Sequence, residues 1–203
     1  MLVFFLLVTL VSVAVLTTSF FVITTGIIRD NSRRLLVDLI RQIASDTDDL
    51  FAEARETLDM VANDPKIQQV LRAPLPRPVS ARYSQELEVD IQLSFVQSYR
   101  KDLFGIYVIW ANGAAFKSNF FSGREGDWTG SPWYARILAS QGPLWLAPHP
   151  GAFTVRTVDQ PIITCGLSIT DKASGRSLGV ALVDVEVRTI EGLLRGYLDD
   201  RGS

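Results

Sequence analysis

The fold of this chain is decided by residues 103–119, which read LFGIYVIWANGAAFKSN. Residues 103–110 are aromatic and β-branched on both faces, which is typical of a strand that is buried on both sides. Asn112-Gly113 is a strong signal for a two-residue hairpin turn, and residues 114–119 supply the returning strand. This stretch therefore predicts an antiparallel pair of strands.

Downstream of the hairpin, short apolar runs alternate with turns. A Gly-rich loop over residues 122–130 precedes a short helix that begins at Ser131-Pro132 and extends to Ser140. A turn over residues 171–175 makes the last two strands antiparallel neighbours. The predicted strands are 144–147, 153–157, 162–169 and 178–187, and a closing helix covers about 189–198.

The segment upstream of the hairpin is helical in its spacing. Neither Gly nor Pro occurs between Gly26 and Pro65, and apolar residues recur there at steps of three and four. One long amphipathic helix is predicted, about 55 Å long if it is continuous over residues 27–63. Asp64-Pro65 ends it and begins a short helix, since Asp caps helices and Pro suits their first position. Residues 81–101 resume helical spacing with Tyr83, Leu87, Ile91, Phe95 and Tyr99.

The first 28 residues differ in composition from the rest of the chain. Every Lys, Arg, Asp and Glu lies at or after Arg29, and about 20 apolar residues precede it, enough to cross a bilayer as a helix. A secretory signal peptide is the alternative, but it would carry a charged start and a small-residue cleavage site. The basic residues Arg29, Arg33 and Arg34 place the following domain in the cytoplasm by the positive-inside rule, whereas the rest of the chain favours the extracellular side. We expect a plasma-membrane protein whose domain after residue 28 is extracellular.

Composition excludes several classes of function. The net charge is −2 and no Lys/Arg cluster occurs, which argues against nucleic-acid binding. The single cysteine forms no internal disulfide, and with one histidine there is no zinc-ligand set. No Gly-x-Ser-x-Gly or phosphate-binding loop is present, so we expect no enzyme activity, no cofactor and no metal. Cys165 is expected to be a small core residue, and His149 a surface loop residue between two prolines.

Helices come first and antiparallel strands follow, which predicts an α+β fold rather than a parallel βαβ sheet. The expected parts are a transmembrane helix over residues 1–28, a long signalling helix with a short following helix over 29–72, a sheet domain over 73–198 and the start of a missing segment over 199–203. The apolar side of the long helix either pairs with a second subunit or packs on its own domain. For the membrane-near half, the sequence favours neither.

A candidate small-molecule pocket follows from the aromatic residues. All four Trp residues lie between 110 and 145, in the most loop-rich part of the chain. Asp184 shares a strand face with Leu178, Val180 and Leu182 by period-two alternation, where an unpaired carboxylate would cost several kcal/mol. Its expected partner is a ligand cation or hydroxyl, or else a backbone amide or a nearby Arg.

Five further residues are candidates for the same pocket. Tyr107 and Trp110 lie on opposite faces of one strand, and we assign Tyr107 to the pocket. Trp133 and Tyr134 open a helix beneath the Gly-rich loop. Lys117 and Asp127 complete the set, with a solvent-exposed charge as the alternative for each.

The elements in this order resemble the Cache family of extracellular sensor domains, which have PAS-like folds and occur in bacterial sensor histidine kinases and chemoreceptors. The matching pieces are a helical segment ending ANDPKIQQVL, the hairpin GIYVIWANGAAFKSN, the helix start SPWYARIL and the ending SLGVALVDVEVRTIEGLL. The likeness covers about residues 5–198 and is greatest to the membrane-distal part of sensors with two PAS-like modules in Gram-positive histidine kinases. It implies that residues 197–203 begin a second module and that the chain is a fragment.

The resemblance also implies a ligand set. Cache members that bind amino acids use an Arg two residues before a Trp-Tyr pair, an earlier Tyr and an Asp on the last strand. Trp133, Tyr134 and Asp184 match, whereas Ser131 stands in the place of the Arg and Gly126 in that of the earlier Tyr. Because the bidentate clamp on a carboxylate is missing, we expect a neutral, hydroxylated or mixed ligand such as a sugar or a small amide.

These observations predict the extracellular small-molecule sensing module of a membrane-bound receptor. The receptor is expected to be a two-component sensor histidine kinase that acts as a homodimer through the long helix. One alternative is the sensor part of a chemotaxis receptor or a nucleotide cyclase, which would share this fold. The other is a ligand-free structural dimerisation module, which a collapsed cavity with Asp184 bonded to backbone would favour.

Overall fold

The computed structural model describes residues 2–73, 79–100, 102–117, 128–150 and 161–199. Several predictions fall outside these ranges: the site residue Asp127, the position of Gly126, most of the Gly-rich loop, the strand over 153–157 and the chain end over 200–203. For Lys117 the structure describes the backbone only.

The first helix, α1 (Leu2–Asn63), has no interruption, as the absence of Gly and Pro after Gly26 predicts. The chain divides within it into two compact units, Met1–Asp46 and Thr47–Ser203. In the first unit, the hydroxyl of Thr18 donates to the carbonyl of Ala14, and that of Thr9 donates to the carbonyl of Phe5. Each hydroxyl is thus satisfied inside an apolar helix, which is what a hydrocarbon environment requires.

Among the described residues, one helix is long and apolar enough to cross a membrane, over Thr9–Asn63, with a mean hydropathy of 2.0 in its most apolar window. This finding rests on length and composition, and a signal sequence near an N-terminus would meet the same criteria.

The second unit begins with the rest of α1 and continues into α2 (Pro65–Arg72) and α3 (Val79–Tyr99). Asp64 caps α2 as predicted, because its Oδ1 accepts from the backbone N–H groups of Lys66 and Ile67 at 2.8 and 2.9 Å. The buried amide of Gln68 donates to the carbonyl of Ala62 at 2.7 Å, which satisfies a carbonyl in the last turn of α1.

Arg100 connects the end of α3 to α1. Its guanidinium bonds to Glu53 at 2.9 Å and to Glu56 at 2.8 Å, and the bond to Glu53 contributes most to raising the pKa of Arg100. Glu53 and Glu56 of α1 are therefore both paired with the residue that directly follows α3.

The sheet is antiparallel and contains six strands among the described residues. The strands are β1 (Gly105–Trp110), β2 (Ala115–Lys117), β3 (Leu144–Trp145), β4 (His149–Pro150), β5 (Pro161–Thr170) and β6 (Ser177–Glu186). Their spatial order is β2-β1-β6-β5-β3, with β4 also paired to β5, which agrees with the predicted PAS-like α+β fold. The remaining helices are α4 (Pro132–Ala139) and α5 (Val187–Asp199).

Each face of the sheet has its own buried cluster. The helix-side core contains α1 residues from Leu50 onwards together with α2, α3 and one set of strand residues, among them Trp110 and Cys165. The α4-side core lies on the other face and consists of Tyr107, Ile109, Tyr134, Ile137, Leu146, Val180 and Leu182. All six residues of β1 are buried, as a strand between two cores requires.

The hairpin after β1 differs from the prediction in length. The N–H of Trp110 donates to the carbonyl of Ala114, and the N–H of Gly113 donates to the carbonyl of Trp110. Three residues therefore make the turn rather than two, and Gly113 takes a φ of +92° at its third position. Glycine adopts this conformation at little cost, as three-residue hairpins with a bulge require.

A β-bulge in β6 changes the predicted faces. Thr170 pairs with Ser177, but Ile169 pairs with Gly179, so Leu178 is an extra residue. As a result Leu178 lies in the helix-side core, and the predicted shared face with Val180, Leu182 and Asp184 is wrong for Leu178. The reason is that strict alternation fails where one strand gains a residue.

Candidate ligand-binding site

Asp184 lies on β6, on the α4-facing side of the sheet, and is completely buried. It is opposite Thr164 of β5 and Gly105 of β1, so the strands on both sides contact it through their backbones. The hydroxyl of Thr164 donates to Asp184 Oδ1 at 2.5 Å. Asp184 Oδ2 makes no hydrogen bond of ordinary geometry with the described residues.

A third residue extends this arrangement. His149 Nε2 lies 2.9 Å from the Thr164 hydroxyl oxygen. When Asp184 is ionised, Thr164 gives its one proton to the carboxylate, so the histidine nitrogen is then the donor to the Thr164 oxygen. The result is a directed chain from His149 through Thr164 to Asp184. His149 is half-buried on β4, so the predicted surface loop position is wrong: pairing of β4 with β5 brings the ring over Thr164.

Tyr107 reaches the same carboxyl from β1. A Cβ atom added to Gly105 would overlap the Tyr107 hydroxyl, so the ring lies along the strand over that glycine. Gly105 is opposite Asp184 in the sheet register, which puts the phenol beside the carboxyl. Burial raises the pKa of Tyr107, and the negative charge of Asp184 raises it further. Tyr107 is therefore a neutral hydroxyl at all ordinary pH values.

Burial dominates the electrostatics of the site. It raises the pKa of Asp184 to about 7, while hydrogen bonds from Thr164 and Tyr107 act in the opposite direction. Asp184 is thus close to half-protonated at neutral pH, and a bound cation would favour its charged form. Among the described residues, side-chain hydroxyls hold the carboxyl, and neither of the predicted protein partners, a backbone amide or an Arg, does so.

Helix α4 covers the α4-side core. Ile137 packs directly on Gly166 of β5, where a Cβ would overlap its methyl group, so this glycine allows the close approach of the helix. Tyr134 is buried in the α4-side core, and Trp133 packs against it with the two rings 6.0 Å apart. The Tyr134 hydroxyl is buried and has no hydrogen-bond partner among the described residues, and burial raises its pKa.

The structure therefore brings four of the six predicted site residues to one face of the sheet. These are Tyr107, Trp133, Tyr134 and Asp184, and Tyr107 and Trp110 lie on opposite faces as predicted. Lys117 is opposite Tyr107 in the register of β1 and β2. Asp127 lies outside the described residues.

The four Trp residues do not all line this face. Trp128 and Trp133 pack against the α4-side core, but Trp110 lies in the helix-side core and Trp145 packs on Phe51 of α1 at 4.7 Å between ring centroids. The prediction that the indole rings gather over one pocket is wrong for these two, because neighbouring strands place them under the helices.

Cys165 is a core residue, as predicted. It is fully buried in the helix-side core, and burial raises the pKa of its thiol to about 12. Among the described residues, no group of three or more His, Cys, Asp or Glu side chains is placed to hold a metal ion.

Two polar members of the site, Thr164 and His149, were missed from the sequence. If the pairing of Thr170 with Ser177 continued without a bulge, Thr164 would be opposite Val183 and Asp184 opposite Ile163. The signal that points to the bulge is Gly179, an isolated glycine inside a strand pattern. Nothing in the sequence places His149 over β5, because that contact depends on how the strand pairs.

Comparison with known proteins supports the fold. No family profile matches the sequence, and no curated protein sequence matches it. Among solved structures, the sensory domain of the Campylobacter jejuni chemoreceptor Tlp3 with isoleucine bound matches with a TM-score of 0.59 and 20% identity, over 77% of this chain and 60% of that one. The ligand-binding domain of the Pseudomonas aeruginosa chemoreceptor PctC in complex with GABA gives 0.58 and 18%, over 81% and 68%.

A kinase sensor has the same fold. The sensor domain of the V. cholerae histidine kinase DctB matches with a TM-score of 0.59 and 15% identity, over 77% of this chain and 56% of that one. The chain spans about three-fifths of the length of the Tlp3 domain. At these identities the likeness establishes a shared fold with ligand-binding sensor domains.

Proposed function

We propose that this chain is the extracellular small-molecule sensing module of a receptor in the plasma membrane. The observation that carries the proposal is Asp184, a carboxyl that is completely buried on the α4-facing side of the sheet, with hydroxyl donors from Thr164 and Tyr107. Burial of a carboxylate costs free energy unless enough donors reach its oxygens, and here burial outweighs the two hydroxyls and raises the pKa of Asp184. A ligand hydroxyl, amide or amine would supply a further donor.

The ligand is neutral and hydroxylated, or carries a small amide. The described residues of the α4-side core and its rim are aromatic and aliphatic, with hydroxyls from Tyr107, Tyr134 and Thr164 and one carboxyl that titrates near neutral pH. In the resemblance to Cache domains that bind amino acids, Ser131 stands in the place of the Arg that would bind a ligand carboxylate. Hydroxyl and amide groups match this set because they both donate and accept hydrogen bonds.

An amino-acid ligand is the second candidate. It is favoured by the same carboxyl, since an ammonium group would pair with ionised Asp184, and by the isoleucine and GABA in two chemoreceptors of this fold. The two candidates differ in pH dependence. Binding of an amine weakens by up to about tenfold per pH unit below about 7 as Asp184 takes up its proton, whereas binding of a neutral sugar changes little.

The test is a ligand screen on the full chain in detergent micelles, with thermal unfolding followed by Trp fluorescence. Neutral sugars, small amides and free amino acids form separate arms. We expect stabilisation in the sugar or amide arm, and its loss in Asp184→Ala with retention in Asp171→Ala, a matched carboxyl in the turn between β5 and β6. A response to amino acids alone would overturn the ligand class, and a response unaffected by Asp184→Ala would overturn the site.

The receptor is a two-component sensor histidine kinase that works as a homodimer through α1, and DctB supports this assignment by its fold. A chemotaxis receptor or a cyclase is the alternative, supported equally by Tlp3 and PctC. Ligand stabilises one of two arrangements of the sheet against the segment of α1 that packs on it, and α1 carries the difference towards the membrane. The output domain of the full-length gene distinguishes the receptor classes.

The dimer is tested by cysteine cross-linking in membranes. Leu36→Cys and Ile43→Cys lie on the apolar side of α1, and Asp38→Cys, roughly opposite on the helix, is the matched control. We expect cross-linking at the first two positions that changes with saturating ligand. A pattern that ligand does not change would contradict signalling through α1, and a ligand-free structural dimer would then be the better account.

A further inference from the structure

The outer side of α3 is apolar. Tyr83, Leu87, Ile91, Phe95 and Tyr99 repeat at every fourth residue, the spacing that predicts this helix from the sequence. None of the five is in either core, and between 41% and 72% of each residue is exposed. The helix packs on the sheet domain through other residues, with Val89 and Leu93 fully buried. The periodicity in the sequence thus marks the exposed side of α3.

The geometry of the helix defines this surface, which we call the outer α3 face. Steps of four residues advance about 40° around an α-helix, so the five side chains occupy a sector of about 160° on the side away from Val89 and Leu93. Between Tyr83 and Tyr99, the other residues in the sector are Ser84, Glu88, Ser94 and Ser98. The rings of Phe95 and Tyr99 are in edge contact, with 5.0 Å between their centroids, so the C-terminal end of the face forms one continuous apolar patch.

The charge content of the face is unusual for a helix surface in water. A helix that packs on one side normally carries charged residues on the other. Here the outer sector contains one charged residue, Glu88, among five large apolar residues and three serines. Ser side chains between large ones leave room for the knobs of a second helix.

We propose that the outer α3 face binds the same face of a second copy of this chain. The exposed parts of its five apolar residues amount to on the order of 500 Å², the size of the largest apolar patch on a typical monomer, which is often an interaction site. Two such faces with their polar rims bury about 1,000 Å² in total, the lower limit for a specific interface. A symmetric pair places each face against itself, and a nearly uncharged face does this without like-charge repulsion.

This interface is separate from the pairing of α1 in the proposed function. It requires no ligand, and it holds whether the receptor is a kinase or a chemoreceptor. Its residues all belong to the unit Thr47–Ser203, whereas Leu36 and Ile43 belong to Met1–Asp46.

The primary test is disulfide cross-linking of the full chain in membranes. Ile91→Cys stands at the centre of the outer α3 face, and Ala135→Cys, exposed on α4 on the opposite side of the sheet, is the matched control. The native Cys165 is buried with a raised thiol pKa and gives little background. We expect a band at twice the chain mass of 22.5 kDa for Ile91→Cys, severalfold stronger than for Ala135→Cys.

A second measurement is needed because Ile91→Cys could lie in the interface and still be too far from its copy to form a disulfide. Phe95→Glu is solvent-exposed in a single copy, so it leaves the fold intact, which unchanged Trp fluorescence verifies. In the pair it places two like charges close together and weakens self-association by at least about 100-fold. Ala135→Glu adds the same charge on α4 and leaves self-association unchanged. Self-association is measured by light scattering of the purified chain in micelles.

The outcomes separate the two proposals. Equal cross-linking of Ile91→Cys and Ala135→Cys, together with unchanged association of Phe95→Glu, overturns the α3 interface. Cross-linking of Leu36→Cys under the same conditions then leaves the α1 dimer standing. Cross-linking of Ile91→Cys to a different protein also overturns the proposal, since the occupant is then not a second copy.

Discussion

Asp184 is held in the folded state at a cost that depends on pH. Its carboxyl has an ordinary pKa of 3.8 when exposed, and burial raises this pKa to about 7. Between these values the unfolded chain releases a proton that the folded chain retains, so the folded state loses stability as pH rises. Above about pH 7 the folded protein keeps a buried charge whose donors include Thr164 and Tyr107. Without a ligand, the folded protein is therefore less stable at high pH, and a ligand that donates a hydrogen bond to Asp184 would offset this loss.

Replacing Asp184 by Asn removes the titration and keeps the shape. We expect Asp184→Asn to be more stable than the parent by a few kcal/mol at pH 8 and nearly equal to it at pH 4. The reason is that the parent loses folding stability as pH rises between these values, whereas the variant has no carboxyl to titrate. Urea unfolding followed by Trp fluorescence measures the difference. Equal stability of the two chains at both pH values would contradict the raised pKa.

Asp171 is a control for Asp184, because its pKa is shifted in the opposite direction. The hydroxyl of Ser174 and the backbone N–H of Ala173 hold its pKa below 3.8, so its contribution is present above about pH 4 and is lost as pH falls through its folded pKa. Asp171→Asn should therefore destabilise at pH 8 and have less effect at low pH. The two variants together show that the pH response belongs to each residue and not to net charge.

Gly105 makes room for the Tyr107 ring beside Asp184. Gly105→Ala would place a methyl group into the phenol and force a buried side chain to move, and we expect a loss of about 1–3 kcal/mol in urea unfolding. Gly142→Ala is the control, because nothing lies within 4 Å of its added methyl group. If both alanine variants unfold at the same urea concentration, Gly105 does not position Tyr107.

At the scale of elements, the bulge in β6 decides which side chains meet. One extra residue at Leu178 shifts the register of the last hairpin, so that Thr164 rather than Ile163 is opposite Asp184. The bulge also moves Leu178 into the helix-side core. The bulge thus places Asp184 and Thr164 opposite each other on the α4-facing side of β5 and β6, next to the apolar residues Val180 and Leu182.

Gly179 is the residue on which this bulge depends. Its φ is +152°, and a Cβ there would overlap the carbonyl oxygen of Ile109, a backbone atom that has little room to move. We expect Gly179→Ala to lose about 3 kcal/mol in unfolding free energy. Gly192→Ala in α5, with open space around it, should change stability by less than about 1 kcal/mol. A small loss in Gly179→Ala would show that the bulge moves elsewhere along β6.

At the scale of the whole chain, the two compact units differ in whether they contain a buried hydrophobic core. Every buried hydrophobic residue of the described chain lies at Leu50 or later, within the unit Thr47–Ser203. In the unit Met1–Asp46 the described side chains are mostly exposed, and its apolar segment suits a hydrocarbon environment instead of a protein core.

A chain that begins at Thr47 should therefore fold without the apolar segment. We expect cooperative urea unfolding with the same midpoint as the full chain in micelles, since both cores are complete in this unit. All four Trp residues lie between 110 and 145, so their fluorescence reports this unit in both chains. A gradual transition in the shorter chain would show that residues 1–46 contribute to its core.

Much of the architecture follows from local patterns along the chain. The uninterrupted α1 follows from the absence of Gly and Pro, the start of α2 from Asp64-Pro65, and the strand β1 from a run of β-branched and aromatic residues. These features depend on steric preferences and hydrogen bonds within a few residues, so a single sequence is enough to predict them.

By itself, the amino-acid sequence determined the order of helices and strands, the apolar first segment and the opposite faces of Tyr107 and Trp110. Only the tertiary structure decided that Thr164 and His149 join Asp184, that Trp110 and Trp145 lie under the helices, and that the regular spacing on α3 faces outwards. The physical reason is that strand register and the choice of a buried helix side are set by contacts between distant residues. One bulge in β6 changes which side of the sheet the following side chains face. The helix α3 has two apolar sides, and it can bury only one of them against its own sheet.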